Sequence, residues 1–251
     1  DLVAQDGSYY RSSLAERTAA RIAAAIRAAK QSAEAGRLGI HVGDVWGLGS
    51  NQSLPAFRAS AASRSWHDQG HPGHSAPDHL SPVERATDPR LWAISAWVGG
   101  QLRGLIGVFG VHSTALGEHG IDYYSPDWPG PAAKKARARA IARGLADRRL
   151  VVGICASCAG DVGPLPLQAT ESQRPCQQGP DLQRFIGEAV GKSLVKIARA
   201  AADAPATRGE LTVAHELWEL DPTRCPERLA PWAFGTPAMG GSEDGRSFLY
   251  G

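Results

Sequence analysis

The chain has 251 residues, of which 43% are hydrophobic and 21% charged, so it has the composition of an ordinary globular protein. Lys and Arg number 27 against 25 Asp and Glu, and the formal charge of +2 gives no overall field that would hold a polyanion. We therefore expect no nucleic-acid partner. Apolar runs such as residues 105–111 are broken by glycine and fall well short of the roughly 20 residues needed to cross a bilayer, which excludes an integral membrane protein. The first residue is Asp1 and no basic-then-apolar leader follows, so we expect no signal peptide in this chain.

The first predicted elements are a helix and a strand. Apolar residues recur at helical intervals over about residues 13–35, which predicts an amphipathic helix. Leu38, Ile40 and Val42 then alternate with glycine or histidine, which predicts a half-buried strand on one side of a sheet. Residues 46–90 carry Gly, Pro, Ser and four histidines without a sustained period, and this predicts a long irregular loop.

A hairpin, a helix and a strand are predicted next. Two apolar stretches, residues 91–98 and 102–111, are separated by Gly99-Gly100, which favours a tight turn between paired strands. Residues 132–149 are rich in Ala, Lys and Arg and predict a helix, and the β-branched run 150–155 predicts a buried strand.

The last predicted elements complete an α/β pattern. From Pro180 an apolar stripe at helical spacing predicts the most regular helix of the chain, and Leu211, Val213 and Leu217 predict a final strand. The order of elements predicts the α/β class, a mixed β-sheet flanked by α-helices and interrupted by long irregular loops.

Two strand-to-loop junctions carry polar residues suited to chemistry. One apolar strand ends at His112, which places an imidazole at a sheet edge, where ligands usually bind in α/β folds. Histidines at such positions are more often hydrogen-bonded rim residues than ligands. The second junction runs into Gly160-Asp161-Val162-Gly163-Pro164, where glycine lets backbone approach a ligand and Asp161 can orient a partner. A simple turn with an Asx hydrogen bond is the alternative.

These junctions and their surroundings resemble the neutral, non-lysosomal ceramidase family. Residues 109–115 resemble its Phe-Ala-Val-His-x-Thr-Ser motif, and residues 160–165 resemble its Gly-Asp-Val-Ser-Pro-Asn motif. Residues 51–57 resemble its Asn-Arg-Ser-Pro-x-Ala-Tyr motif, and residues 237–240 and 242–245 resemble its Pro-Ala-Met-Gly and Thr-x-Asp-Gly pieces. The pieces occur in the family's order and span nearly the whole chain.

The resemblance implies a zinc-dependent amidase that splits ceramide into a sphingoid base and a fatty acid. It implies that His112 is a zinc ligand, whereas the family's other ligands match nothing in these residues. It also implies a secreted or extracytoplasmic location. We therefore expect residues 1–251 to form a single domain that is an incomplete piece of a larger catalytic domain.

Two departures from the family's motifs affect the predicted chemistry. Gly163 replaces the motif serine that the family places at the reacting centre, and glycine has no oxygen to act as nucleophile or donor. Gln52 replaces the motif arginine, so the charge-assisted part of a hydrogen bond is lost. The predicted site thus contains Gln52, Asp161 and Gly163 as substrate-facing residues and no intact catalytic residue.

Two functions follow from this resemblance. The first is hydrolysis of the N-acyl bond of ceramide or a related lipid amide, and the alternative is a non-catalytic relative that binds a lipid or other ligand. We expect residues 1–251 alone not to hydrolyse ceramide at a rate typical of the family, because one metal ligand cannot hold zinc tightly.

Cysteine and histidine patterns suggest a third class of function, a metal- or thiol-based module. Cys155 and Cys158 form a CxxC pair, but Cys176 and Cys225 do not provide a second close pair. We interpret the pair as buried thiols or as halves of disulfides. The histidines within residues 67–79 could bind metal, but a solvated loop is the better interpretation because nothing fixes their spacing.

Two further patterns have simple structural interpretations. Residues 215–219 read His-Glu-Leu-Trp-Glu, which begins like a zincin motif but lacks its second histidine, so we expect no metal site there. A basic run is expected to be a solvated helix face, and a membrane-surface contact would suit a lipid substrate. It comprises Lys134, Lys135, Arg137, Arg139, Arg143, Arg148 and Arg149.

Overall fold

The structure is a computed structural model that describes residues 12–59, 76–117, 124–164, 178–202 and 212–216. The chain divides into two compact units, residues 1–36 and 37–251. The described part of the first unit is dominated by helix α1 (Ser12–Gln31), which confirms the predicted helix in a shorter form. Ile22 and Ile26, which belong to its apolar stripe, are 56% and 64% exposed.

The second unit is built on a mixed sheet. Its strands are β1 (Arg37–Asp44), β3 (Arg90–Val98), β4 (Gln101–Phe109) and β5 (Val151–Ala156), in the spatial order β1-β3-β4-β5. The first three pair antiparallel, whereas β5 pairs parallel with β4. A second, two-stranded ladder joins β2 (Ser50–Asn51) to β6 (Val162–Gly163).

Helices cover one face of the four-stranded sheet. These are α4 (Pro129–Ala142) and α5 (Pro180–Ala202), whereas two short helices, α2 (Leu54–Ala59) and α3 (Pro82–Arg85), lie between β1 and β3 in sequence. The predicted stripe of α5 is its buried face, since Leu182, Ile186, Val190 and Leu194 are fully buried. These features confirm the predicted α/β class with a mixed sheet flanked by helices.

The predicted hairpin forms at the Gly-Gly turn. Gly99 and Gly100 have φ angles of 56° and 78°, in the left-handed region that favours glycine. The ladder then runs from Val98 opposite Gln101 towards Trp92 opposite Val108, with a register shift at Ala96/Trp97.

Strand β1 alternates as predicted, but its apolar side chains lie on the open face of the sheet. Leu38 and Ile40 are 59% and 54% exposed, whereas Gly43 lies against α5, where an added Cβ would sit 2.9 Å from Ile197. Glycine on the covered face lets the helix approach the sheet closely. The close packing of α5 therefore determines which face of β1 is covered.

Three predicted segments differ in the structure. Strand β5, predicted to be buried, is exposed or half-buried along its length because it lies at the edge of the described sheet. The long loop predicted over residues 46–90 contains β2, α2 and α3 in its described parts, so it is less irregular than expected. Residues 212–216, expected within a final strand, form no strand and are exposed, since no described strand pairs with them. Among the described helices none is long and apolar enough to cross a membrane.

Candidate functional site

His112 lies just beyond the end of β4 and contacts the second predicted junction. Its backbone N–H donates to the carbonyl of Val162 across 2.9 Å, and the residue is half-buried. Strand β4 is a central strand with buried Leu105 and Phe109, so the position of His112 is fixed by the core. His112 and the loop of residues 160–164 therefore lie against one another.

The segment carrying Gln52 also forms hydrogen bonds with the loop of residues 160–164. Asn51 pairs with Val162 and Ser50 with Gly163 in the short β2–β6 ladder. The N–H of Gln52 donates to the carbonyl of Asp161 at 2.8 Å. Backbone hydrogen bonds therefore join all three motif segments, although they are far apart in sequence.

Asn51 orients the predicted substrate-facing carboxylate. The side chain is 2% exposed, and its Nδ2 donates to Oδ2 of Asp161 at 2.8 Å and to the carbonyl of Ala86 at 3.0 Å. Its Oδ1 accepts from the N–H of Ser53 at 2.8 Å. Asn51 is the first residue of the motif at residues 51–57, but the motif alone did not predict its role.

Gln52 and Gly163 fit each other sterically. A Cβ added at Gly163 would lie 2.7 Å from Cδ of Gln52, so the carboxamide fills the space that a larger side chain at position 163 would need. Gly163 is itself buried. The two departures from the ceramidase motifs are thus adjacent in space, and a serine at position 163 would require Gln52 to move.

A buried carboxylate stabilises the segment that follows His112. Asp127 is 5% exposed and accepts the N–H groups of Ala115 at 3.1 Å, Leu116 at 2.8 Å and Trp128 at 2.6 Å. Three such bonds satisfy a buried carboxylate and fix the loop that follows His112.

The neighbouring indole completes this support. Trp128 is 1% exposed, and its Nε1–H donates to the carbonyl of His112 at 3.0 Å. Its ring packs edge to face against Phe109 with centroids 6.1 Å apart. Neither Asp127 nor Trp128 was predicted from the sequence, where their one signal is the position directly before the helix that begins at Pro129.

The side chains that could bind zinc do not form a complete zinc site within the described residues. No three His, Cys, Asp or Glu side chains within the described ranges group closely enough to hold a metal ion. His112 stays a predicted ligand, and a complete ligand set would need residues outside the described ranges. Of the loop histidines only His79 is described, and it is exposed.

The thiol interpretation needs correction. Cys155 and Cys158 are free and exposed rather than buried. Cys155 projects from edge strand β5 on the open face of the sheet, which leaves it accessible. Cys176 and Cys225 lie outside the described residues. His215 and Glu216 are exposed in an irregular segment, and no described residues form a metal site around them.

Backbone hydrogen bonds bring three residues with polar side chains into neighbouring segments. His112 supplies an imidazole, Gln52 a carboxamide with donor and acceptor, and Asp161 a carboxylate oriented by Asn51. Gly163 supplies only backbone. The substrate-facing roles predicted for Gln52, Asp161 and Gly163 stay predictions.

Comparisons with known proteins include matches to solved ceramidase structures. No family model and no curated protein matches the chain. The crystal structure of the neutral ceramidase from Pseudomonas aeruginosa matches 70% of this chain at 23% identity with a TM-score of 0.50. A ceramidase complexed with C2 matches 67% at 24% identity with a TM-score of 0.48.

The match covers only part of the ceramidase structures. This chain spans 24% of the length of the Pseudomonas aeruginosa ceramidase chain and 23% of the other. At this level of identity the likeness concerns the fold. The resemblance read from the motifs is thus supported in three dimensions, and the chain has the fold of the matching part of a neutral ceramidase.

Proposed function

We propose that this chain carries part of the active site of a ceramidase-like hydrolase that cleaves the N-acyl bond of ceramide or a related lipid amide. The observation that supports this most directly is the hydrogen bonding of the loop at residues 160–164 to both His112 and Gln52. Three motifs that resemble those of one enzyme family converge at one place in a fold shared with that family.

The residues have complementary roles in this proposal. His112 is one ligand of a zinc ion whose other ligands lie outside the described residues. When bound, zinc supplies a Lewis acid and lowers the pKa of a bound water. Gln52 donates its amide N–H to the substrate carbonyl, and Asn51 holds Asp161 in a fixed orientation beside it.

A non-catalytic relative is the second candidate, and the contact between Gln52 and Gly163 favours it. The position that carries a serine in the motif has no hydroxyl, and the neighbouring carboxamide fills the adjacent space. Loss of an oxyanion donor alone costs about 3 to 4 kcal/mol in other enzymes. In this alternative the site binds a lipid amide but does not cleave it.

The proposal concerns the whole protein, since the chain spans about a quarter of the ceramidase chains it matches. In this proposal the substrate is a membrane lipid. The protein is secreted or extracytoplasmic, as the family resemblance implies. Both are proposals for this protein.

A chelation experiment tests the proposal. The protein encoded by the complete gene is incubated with a fluorescent ceramide, with and without a chelator, and then with zinc restored. We expect the sphingoid base to be released, release to stop with the chelator and to return with zinc. Binding of the ceramide without release in any arm would favour the non-catalytic alternative, and neither binding nor release would refute both.

A further inference from the structure

The turn directly before helix α4 contains a strained residue. Asp127 has a φ angle of 51°, and within the described ranges it is the one residue other than glycine with a positive φ. This backbone conformation is unfavourable for a residue with a side chain, although Asp tolerates it better than most. Such strain persists only where surrounding contacts offset it, and strained residues cluster at functional sites. The contacts of Asp127 therefore indicate what the turn does.

The contacts that offset this strain lead to the segment that follows His112. The Asp127 carboxylate accepts the N–H groups of Ala115 and Leu116. The N–H of Asp127 donates to Oγ of Ser125 at 3.0 Å. Because the carboxylate is buried, it needs such donors. The strained turn is thus stabilised by the same bonds that hold the segment after His112.

The residue after Asp127 contacts His112 itself. The Nε1–H of Trp128 donates to the carbonyl of His112, and the N–H of His112 donates to the carbonyl of Val162. Both backbone polar groups of His112 are therefore engaged, by two different parts of the fold. Since the peptide planes on either side of its Cα are held, the direction in which the imidazole side chain leaves the backbone is fixed.

The core holds Trp128 in place. Its ring is buried and packs against Phe109, the last residue of β4. Its carbonyl oxygen lies against Gly187 of α5, where an added Cβ would sit 2.8 Å away. Helix α5 therefore packs directly on the residue that donates to His112. The packing of the two long helices thus determines where the indole N–H lies.

We propose that Trp128 is a positioning residue for His112, which it holds in one place beside the loop of residues 160–164. This inference rests on the proposed hydrolysis, because it gives Trp128 a part in the rate of the reaction as well as in stability. Trp128 acts through His112. A displacement of about 1 Å in a reacting group can cost about 100-fold in rate. Substrate affinity depends on other contacts and should change little.

Kinetics of a tryptophan variant test the inference in the protein encoded by the complete gene. Trp128→Phe keeps an aromatic ring against Phe109 and removes the N–H that the His112 carbonyl accepts. We expect kcat for sphingoid base release to fall at least about tenfold, as loss of groups that orient metal ligands does elsewhere. KM should stay within about twofold.

Trp97→Phe is the matched control. Trp97 is 5% exposed and its Nε1–H donates to Oγ of Ser95 at 3.0 Å, so this variant also removes a buried indole hydrogen bond. Trp97 lies near the turn of the β3–β4 hairpin, at the opposite end of β4 from His112. Urea denaturation should show similar losses of stability for the two variants, whereas kcat of Trp97→Phe should stay within about twofold. Equal kcat values would show a purely structural role for Trp128 and would overturn the inference.

Amide hydrogen exchange in the 251-residue chain gives a readout that needs no hydrolysis. The exchange rate of the His112 N–H is divided by that of the Leu105 N–H in the same strand, which corrects for opening of the whole fold. Trp128→Phe should raise this ratio about tenfold, the effect of losing one hydrogen bond near His112. Trp97→Phe should leave the ratio unchanged.

The two measurements separate this inference from the proposed function. Absence of hydrolysis by the unmodified complete protein would refute the proposed function, and the exchange ratio then decides whether Trp128 positions His112. An unchanged ratio in Trp128→Phe would overturn the inference. Circular dichroism shows whether each variant is folded. If Trp128→Phe does not fold, a benzothiophene side chain at position 128, which keeps the shape of the indole and has sulfur in place of the N–H, gives the same test.

Discussion

The backbone N–H of His112 donates to the carbonyl of Val162 across 2.9 Å, and this bond joins two loops that are 50 residues apart in sequence. One loop ends a central strand of the main sheet, and the other begins the short β6 strand. The bond makes the position of the imidazole depend on the loop that carries Asp161 and Gly163. Changes in either loop should therefore affect the other.

Asn51 is expected to be the polar side chain on which the geometry of this site most depends. Asn51→Ala should lower the free energy of unfolding by about 1 to 3 kcal/mol, since the Ala86 carbonyl and the Asp161 carboxylate both lose a donor. Urea denaturation measures the loss. The control Ser113→Ala, at an exposed position beside His112, should change stability by less than about 0.5 kcal/mol. Equal effects would show that Asn51 does not hold the site together.

The contact between Gln52 and Gly163 can be measured by a double-mutant cycle. Gly163→Ser alone should destabilise the protein by about 1 kcal/mol, because the carboxamide at the end of the flexible Gln52 side chain must move aside. The double variant Gly163→Ser/Gln52→Ala should lose less free energy of unfolding than the two single variants added together, with a coupling energy of about 1 kcal/mol. Gly160→Ser is the control, since an added Cβ there meets nothing within 4 Å. Strict additivity would contradict the packing described.

Neighbouring residues of β4 test which face of the sheet the helices cover. Leu105 is 1% exposed and Ile106 is 41% exposed. Leu105→Ala should therefore cost about 2 to 5 kcal/mol, whereas Ile106→Ala in the 251-residue chain should cost less than about 1 kcal/mol. Chemical denaturation of both variants gives the comparison, and a larger loss for Ile106 would reverse the assignment of faces.

Asp147 gives a pH dependence with a defined sign. Hydrogen bonds from the Arg149 side chain and backbone, followed by the contact with Arg103, hold the pKa of the Asp147 carboxyl well below its usual range. A carboxyl with a lowered pKa in the folded state stabilises the protein above its unfolded pKa of about 4, and this contribution is lost as the pH falls further. The stability difference between the unmodified chain and Asp147→Asn should thus shrink between pH 5 and pH 2.

Urea titrations at several pH values measure that difference. Asp181→Asn is the control, since Asp181 is exposed and its salt bridge is with Arg184 of the same helix. A difference for Asp147 that grows as the pH is lowered would contradict the expected sign.

Much of the fold could be predicted because its signals are local. The Gly99-Gly100 turn sets the hairpin, and the apolar stripe from Leu182 sets the buried face of α5. Alternation in β1 showed that one face of the strand is apolar. Helix α5 nevertheless packs on the other face, where Gly43 lets it approach the strand closely. That choice is made by packing between distant segments, which a single-sequence pattern does not encode.

The candidate site was predictable only where residues match a motif. His112, Gln52 and the loop of residues 160–164 could be expected to meet because one family resemblance joined them. Asp127 and Trp128 could not, because their contribution is a set of hydrogen bonds to distant backbone. The strand expected across residues 212–216 was wrong because alternation alone does not provide a pairing partner.

Hydrolysis of ceramide by a pair of histidine variants tests the central claim most directly. The protein encoded by the complete gene is assayed as His112→Ala and as His79→Ala, the latter at an exposed histidine that lies outside the hydrogen-bonded site. We predict that His112→Ala lowers the rate of sphingoid base release by more than about tenfold, since loss of residues that only support metal ligands already costs about 10- to 100-fold elsewhere, while His79→Ala leaves the rate within about twofold. Equal rates for the two variants would contradict the account.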